Sequence, residues 1–415
     1  MTDMKRLHLW PRFGGRELIG IDFSGSNLKL AHAKVFSHRI AGVDLFSQDI
    51  SGLADEEISK AIRGFLTQIK IKTADIVDVI PSHITITKNI EIPSRDPQEI
   101  KEIVNLQAGR HTPYSREEII VDYLDTGTYK DSYTKVLLVM VTRQIIKRQF
   151  DILRGAGLKV ERIFFAPEAI GRFISTILKL ESENSPSSIV HLDQSFTDFT
   201  VIFKKRLLYV RSIPIGVEHL IRDSQNQQLR LVEEIRNSLE SYQTEGIDKM
   251  PQSIIFTGAT AEIKGLEETL GGNFHMPIKN LDYLKHLHLS HDVLKSPSFQ
   301  KRASFLNISA PLFLLDEIKV NLIPEEVKLK KSFEAKSRDI VKAGIMALIS
   351  FVLICCILIS KIYFKSVYLR SLDTRFQSQY KEVEKLEKDF ERVKAIRDYI
   401  SNRGYSLEAL SELYL

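Results

Sequence analysis

The stretch that most restricts what this chain can fold into is Ala343–Ser360, AGIMALISFVLICCILIS. It holds eighteen consecutive residues without a charge, a proline, or an Asn, Gln or His. As an α-helix rising ~1.5 Å per residue it spans roughly 27 Å, close to the ~30 Å hydrocarbon core of a bilayer. Lys342 and Lys361 flank it, placed to lay their stems along the apolar layer and their ammonium groups in water. A core helix of a globular domain carries a polar face, and this stretch has none. The sequence therefore reads as a large N-terminal part, one transmembrane helix at 343–360, and a short part beyond it. Six Lys or Arg lie from Lys328 to Lys342 and four from Lys361 to Arg375, a bias that places the N-terminal side in the cytoplasm. The start, MTDMKRLHLWPRFGG, has no apolar run of signal-peptide length, which agrees with that orientation.

The net charge of +5 is small and dispersed, with no basic stripe interleaved with aromatics, so nucleic acid is not an expected partner. The two cysteines, Cys355 and Cys356, fall inside the apolar helix. No disulfide framework is expected, and they read as small apolar fillers.

Residues 17–34, ELIGIDFSGSNLKLAHAK, read as an apolar strand ending at Asp22, a small-residue turn at Ser24-Gly25-Ser26, and a second strand. Such a turn after an acidic residue can hold a metal–phosphate pair with its amides; an ordinary hairpin would read the same way. Residues 55–70 have helical spacing and 76–80 form a short strand. Asp96-Pro97-Gln98-Glu99 is a helix start, with Ile100, Ile103, Val104 and Leu106 expected on the buried face. Strands at 118–124 and 134–142, a helix at 143–155 and a closing strand at 158–164 then describe a small α+β unit inserted at about 83–164. A helix at 166–180 leads to ESENSPSS, residues 181–188, read as the boundary between two lobes. The second lobe opens as the first does, with SIVHLDQSFTDFTVIFKKRLLY placing Asp193 at a strand end and a turn at Gln194–Thr197. The repeat suggests an internal duplication. Residues 253–256 form an apolar strand that ends at Thr257-Gly258-Ala259-Thr260.

These residues resemble the actin–Hsp70–sugar-kinase superfamily and, within it, the PilM family of type IV pilus assembly proteins. GIDFSGSNLKLA is similar to that family's first phosphate loop, IVHLDQSFTDFTVIFKKRLLYVRSIPIG to its second, and IIFTGATAEIKGL to its adenosine segment. QEIKEIVNLQAGRHTPYSREEIIVDY resembles the subdomain that PilM shares with the cell-division protein FtsA. The likeness implies a two-lobed α/β actin-like (ribonuclease H-like) fold over 17–315, after an extension at 1–16. It carries nucleotide contacts onto Asp22, Ser24, Gly25, Ser26, Lys29, Asp193, Gln194, Ser195, Gly258 and Ala259, with ATP and Mg²⁺ as the implied ligands. Within 316–342, IKVNLIPEE resembles the cytoplasmic peptide with which PilN starts, and makes Val320, Asn321, Leu322, Ile323 and Pro324 partner-binding candidates. The whole then looks like PilM joined to the start of PilN, an architecture also seen in the type II secretion protein GspL.

Three departures bear on the nucleotide. Ser24 and Ser195 stand where the family's loops have glycine, and Ala259 follows Gly258 where it has a glycine pair. A Cβ obstructs both the turn conformations and the close approach that phosphate and adenine need. The expected site binds ATP weakly or not at all, and the protein is not expected to be an enzyme. No Ser–His–Asp or Cys–His spacing suggests a nucleophile. His286, His288 and His291 form HLHLSHD, without a second cluster to complete a metal site.

Beyond the apolar helix, Leu372, Phe376, Tyr380, Val383, Leu386, Phe390, Val393, Ile396 and Ile400 recur in steps of three and four. That is coiled-coil spacing over 366–401, with Leu386, Phe390 and Val393 as candidate partner contacts, a break at Asn402-Arg403-Gly404, and a short tail at 402–415. The resemblance implies PilN/PilO-like membrane proteins or a second copy as the partner there, and cytoplasmic pilus motor proteins for the actin-like domain. PilN and GspL continue into a ferredoxin-like domain, so the sequence reads as a short variant or a fragment. An ATP-hydrolysing relative and an FtsA-like filament protein are the readings from other classes. The lost loop glycines oppose the first, and FtsA's amphipathic membrane anchor differs from a full span.

Overall fold

A computed structural model describes residues 16–36, 39–71, 74–129, 132–246, 249–263, 265–289 and 302–412. The chain forms two compact units, one reaching Val327 and one from Lys328 onward.

In the first unit, β1 (Arg16–Asp22), β2 (Asn27–Phe36) and β3 (Arg39–Asp49) make an antiparallel meander, followed by α1 (Asp55–Gln68) and β4 (Asp75–Ile80). The inserted subdomain comes next: β5 (Ile86–Ile92), α2 (Pro97–Gln107), β6 (Ile119–Tyr129) and β7 (Tyr133–Thr142). The chain returns through α3 (Arg143–Gly155), β8 (Val160–Phe165) and α4 (Ala166–Arg172). The second lobe holds β9 (Ser187–Leu192), β10 (Thr197–Phe203), β11 (Arg206–Ile213), α5 (Val217–Arg222), α6 (Ser224–Thr244), β12 (Ile254–Gly258), α7 (Leu266–Asn273) and β13 (Ile278–Leu281). Then follow α8 (Leu306–Phe313) and α9 (Glu325–Glu412).

The two large sheets have the same plan, β3-β2-β1-β4-β8 and β11-β10-β9-β12-β13. In each, the first strand pairs antiparallel with the second and parallel with the fourth. That shared topology is the duplication expected from the repeated strand–Asp–hairpin openings. Each central strand is buried along most of its length, as in Leu18–Asp22 and Ser187–Leu192, because helices or the other lobe cover both faces. α8 crosses to the first lobe and lies on β1 at Gly20. A Cβ there would come within 2.4 Å of the Ile308 carbonyl oxygen, so glycine is what allows this approach.

The inserted subdomain is smaller than the sequence suggests. Its sheet is β5-β7-β6, with its own core of Ile92, Ile100, Val104, Ile119, Val136, Leu138 and Met140. The strand expected to close it, β8, instead pairs parallel with β4 in the first lobe, and α3 packs Ile146, Ile152 and Leu153 into the first-lobe core. A strand–helix order fixes local elements but not which sheet a returning strand joins. Leu106 is 81% exposed, not buried. At ~100° per residue it lies about 240° round the helix from Ile100, off the face that Ile100 and Val104 share. The helix expected over 166–180 turns into a π-helical turn at Phe173–Ile177.

In the second unit, α9 is the one helix among the described residues long and apolar enough to cross a membrane. It continues through Asn402-Arg403-Gly404 to Glu412, where the sequence predicts a break. One helical glycine costs only about 1 kcal/mol relative to alanine, which the good helix formers around Leu407–Leu410 offset. The segment 316–324 also belongs to the first unit, not to a linker.

Candidate functional site

Asp22 ends β1 and Asp193 directly follows β9, the central strands of the two lobes, and the structure brings them together. The hairpin register sets Lys29 directly opposite Asp22. The Lys29 Nζ lies 3.1 Å from Asp22 Oδ2 and 2.7 Å from Asp193 Oδ2, and donates to the Ser304 carbonyl at 3.3 Å. Burial pulls the lysine's pKa down, but Asp193 and Asp22 outweigh it and raise it above the usual lysine value. Burial pushes the Asp193 carboxyl up, while Lys29 and His191 act the other way and leave its pKa depressed.

The remaining carboxylate valences are filled by the chain. Asp22 Oδ1 accepts from the Ser24 N–H at 3.0 Å, and Oδ2 from the Asn307 amide at 2.5 Å. Asp193 Oδ1 accepts from the N–H groups of Gln194 at 2.8 Å and Ser304 at 2.9 Å. Across the gap the Asn27 amide donates to the Gln194 side-chain oxygen. His83 stacks on Phe196 at 4.1 Å, and burial lowers the His83 pKa. The space bounded by Asp22, Gly25, Ser26, Lys29, Gln194 and Ser195 is about 20 Å³. That is room for about one water, against the ~300 Å³ lower end of ligand pockets. With Lys29 and the Asn27–Gln194 bond in place, this space is too small for a nucleotide.

Ser24, Ser195 and Ala259 are not among the residues with positive φ, so the turns accept side chains without strain. Gly258 does need glycine: its φ is +106°, and a Cβ would meet the Leu192 carbonyl oxygen at 2.1 Å. The Ala259 N–H donates to that same oxygen at 2.8 Å, so both residues back the second loop.

Sequence reasoning missed several members of this cluster. Ser304 and Asn307 come from a segment about 110 and 285 residues away from Asp193 and Asp22. Their signal is that they are two of the three polar side chains, with Ser309, in the otherwise apolar run ASFLNISAPLF. His191 also reaches the Ser304 hydroxyl at 2.8 Å, with Asp198 at 3.7 Å on its other nitrogen, and the Ser82 hydroxyl donates to Asp198. Ser304 is fully buried, which leaves no room for the acyl group that a nucleophilic serine would attack. Burial and the nearby Asp22 raise the pKa of Asp78, behind this cluster, well above the carboxylate range.

The second candidate region is Val320–Pro324. Among the described residues it is held by acceptors from two parts of the body. Burial raises the Glu168 pKa against the bonds its carboxylate accepts. These come from the Lys319 and Val320 N–H groups, both at 2.9 Å, and from Arg172 at 2.9 Å. Asp122 of β6 accepts from the Asn321 N–H at 2.9 Å. The Asn321 side-chain oxygen accepts from the Ile163 N–H at 3.2 Å, and the Leu322 N–H donates to the Ile163 carbonyl at 2.9 Å. Val320, Leu322 and Ile323 are 0%, 0% and 2% exposed. Pro324 lines a pocket of about 400 Å³ with Ile120, Arg143, Gln144, Ile146, Lys147 and Phe150. The segment thus joins the inserted subdomain to the first lobe.

Leu386, Phe390 and Val393 lie along α9 and are 68%, 71% and 62% exposed. His286 and His288 border a shallow cleft beside Arg16, and His291 lies outside the described residues. No group of three His, Cys, Asp or Glu suited to a metal occurs among the described residues.

The sequence model of the family described as type IV pilus assembly protein PilM matches residues 20–228, half of the chain. The chain belongs to the PilM family. Among solved structures, the PilM-PilN type IV pilus biogenesis complex matches with a TM-score of 0.58 at 17% identity, over 72% of this chain and 98% of that one. This match establishes the two-lobed actin-like fold. The cytoplasmic domain of EpsL, an inner membrane component of the Vibrio cholerae type II secretion system, matches with a TM-score of 0.41 at 11% identity, over 74% and 98%. A Bacteroides thetaiotaomicron protein with an actin-like ATPase fold matches with a TM-score of 0.43 at 11% identity, over 66% and 96%. No curated protein matches the chain.

Proposed function

We propose that this PilM-family chain is an inner-membrane platform component of a type IV pilus or related secretion machine. In this reading it carries its own PilN-type docking peptide. The observation that supports it is the seating of Lys319–Ile323 on Glu168, Asp122 and Ile163 of the same body. A solved relative is a complex of PilM with PilN, and here the peptide-like segment sits just ahead of a helix long and apolar enough to cross a membrane. A short tether raises the effective concentration to about millimolar, so docking no longer depends on encounter with a second chain.

The body would lie in the cytoplasm and meet motor or platform proteins there. The helix would cross the inner membrane, and the stripe at Leu386, Phe390 and Val393 would meet PilN/PilO-like proteins or a second copy as a coiled coil. The role is non-enzymatic: the cleft binds ATP weakly or not at all and turns none over. Tight ATP binding in calorimetry on the purified full chain in detergent would defeat that part. A GspL-type secretion role is the second reading, favoured by the same order of body, helix and tail. For the platform role, cross-linking in native membranes from a photoreactive residue at position 386 should capture a membrane protein of coiled-coil character or a second copy. Capture of lipid and nothing else contradicts it.

A further inference from the structure

A divalent cation held between two carboxylates is what an actin-like cleft would use to bridge its lobes through a nucleotide. Here that point is taken by the chain itself. Lys29 Nζ faces Asp22 Oδ2 at 3.1 Å and Asp193 Oδ2 at 2.7 Å, with the three side chains each 7% exposed or less. The ammonium also donates to the Ser304 carbonyl, so it has three oxygen partners for its three protons. Around it, Asn27 reaches Gln194 from loop to loop, Asn307 and Ser304 N–H tie α8 and its approach to both aspartates, and Ser82 reaches Asp198. Every one of these contacts crosses between the first lobe, the second lobe and the α8 segment. They connect the lobes through the chain's own groups.

We propose that Lys29 is an internal cation that latches the two lobes closed, so that this chain holds permanently the lobe arrangement for which a metal–nucleotide pair would be needed. This deepens the reading of the cleft as one that turns over no nucleotide. The ammonium shares its single positive charge between the two aspartates, and the neutral Asn27–Gln194 bond closes the gap above it. Removing the ammonium leaves two buried carboxylates facing each other without a counter-charge, which is strongly unfavourable. The vacated point has the oxygen ligands a hard divalent cation takes: two carboxylates and a backbone carbonyl.

The test is thermal unfolding of the full chain in detergent, wild type against Lys29→Ala, each with no addition, with Mn²⁺ alone, and with Mg²⁺ and ATP. The wild type is expected to show the same Tm in all three. Lys29→Ala is expected to unfold at a clearly lower temperature without additions and to regain part of the loss with Mn²⁺ alone. Any of three results overturns the latch: a Tm of the wild type raised by Mg²⁺ and ATP, a variant as stable as the wild type, or a destabilised variant that Mn²⁺ does not raise. If Lys29→Ala does not fold, Lys29→Met combined with Asp193→Asn removes one opposing pair of charges together. That double variant should fold where the single one does not, and a double variant that is no better contradicts the pairing. Phosphate release by the wild type is measured separately and bears on turnover only, so the two readings fail independently.

Discussion

Two sets of partner-seeking residues meet opposite fates in this molecule. In the body, Val320, Leu322 and Ile323 are covered by the same chain, and so are the cleft aspartates. On α9, Leu386, Phe390 and Val393 stay 62–71% exposed. In the body the N–H groups of Lys319 to Leu322 have acceptors on Glu168, Asp122 or Ile163, and that of Ile323 on the Asn321 side chain, so the apolar side chains enter the core without stranding backbone groups. The C-terminal stripe has its backbone satisfied by its own helix, and only its side chains await cover. The difference separates apolar side chains that build this body from apolar side chains that stay exposed on α9.

The sharpest way to break the contrast is Asn321→Ala with Leu322→Ala. Truncating a fully buried leucine costs about 2–5 kcal/mol, and the Ile163 N–H loses its acceptor as well. Denaturant unfolding of the full chain in detergent, followed by circular dichroism, should show a loss in that range, with protease sensitivity between the body and α9. Unchanged stability would mean that the segment is only laid against the body.

Glu168→Ala comes next. It strands the buried Val320 N–H at about 1–3 kcal/mol and removes the acceptor of the more exposed Lys319 N–H, and the same unfolding measurement reads it. Glu168→Gln keeps one acceptor oxygen and should cost less; equal losses would contradict the two-bond role.

The cleft gives a smaller effect with a defined pH window. The Asp193 pKa is held below its ordinary 3.8, so its stabilising contribution is present above pH 3.8 and fades as pH falls through the folded value. Each unit of depression is worth about 1.4 kcal/mol. The stability advantage of the wild type over Asp193→Asn should therefore be constant near neutrality and shrink in acid. An advantage that persists in strong acid would show that the lysine is not its source.

The smallest effect on the body is expected from Leu386→Ser, Phe390→Ser and Val393→Ser together. Exposed substitutions of this kind stay within about 0.5 kcal/mol, while association in membranes, read by cross-linking, should be lost. A change in body stability would place the stripe among the internal contacts instead.

Much of this arrangement was legible in the chain. The paired openings, strand then Asp then small hairpin, foretold two lobes of like topology, because local patterning dictates a hairpin wherever it occurs. IKVNLIPEE stood out by its place ahead of an apolar helix. The acceptors were harder to see: Glu168 sits in FFAPEAIG, an acid within an apolar run, and that was its only mark. Asp22–Lys29 follows from hairpin register, yet Asp193, Ser304 and Asn307 reach the same point only through long-range packing that no spacing encodes. The misassigned β8 and Leu106 have the same origin, since period and order do not choose among neighbouring surfaces.

Hydrogen exchange at the amides of Lys319–Leu322, in the full chain reconstituted in membranes, tests most directly whether the docked segment is part of the body. Protection comparable to that of Ile163 in β8 is the predicted result. Exchange at the rate of an unstructured linker would contradict it.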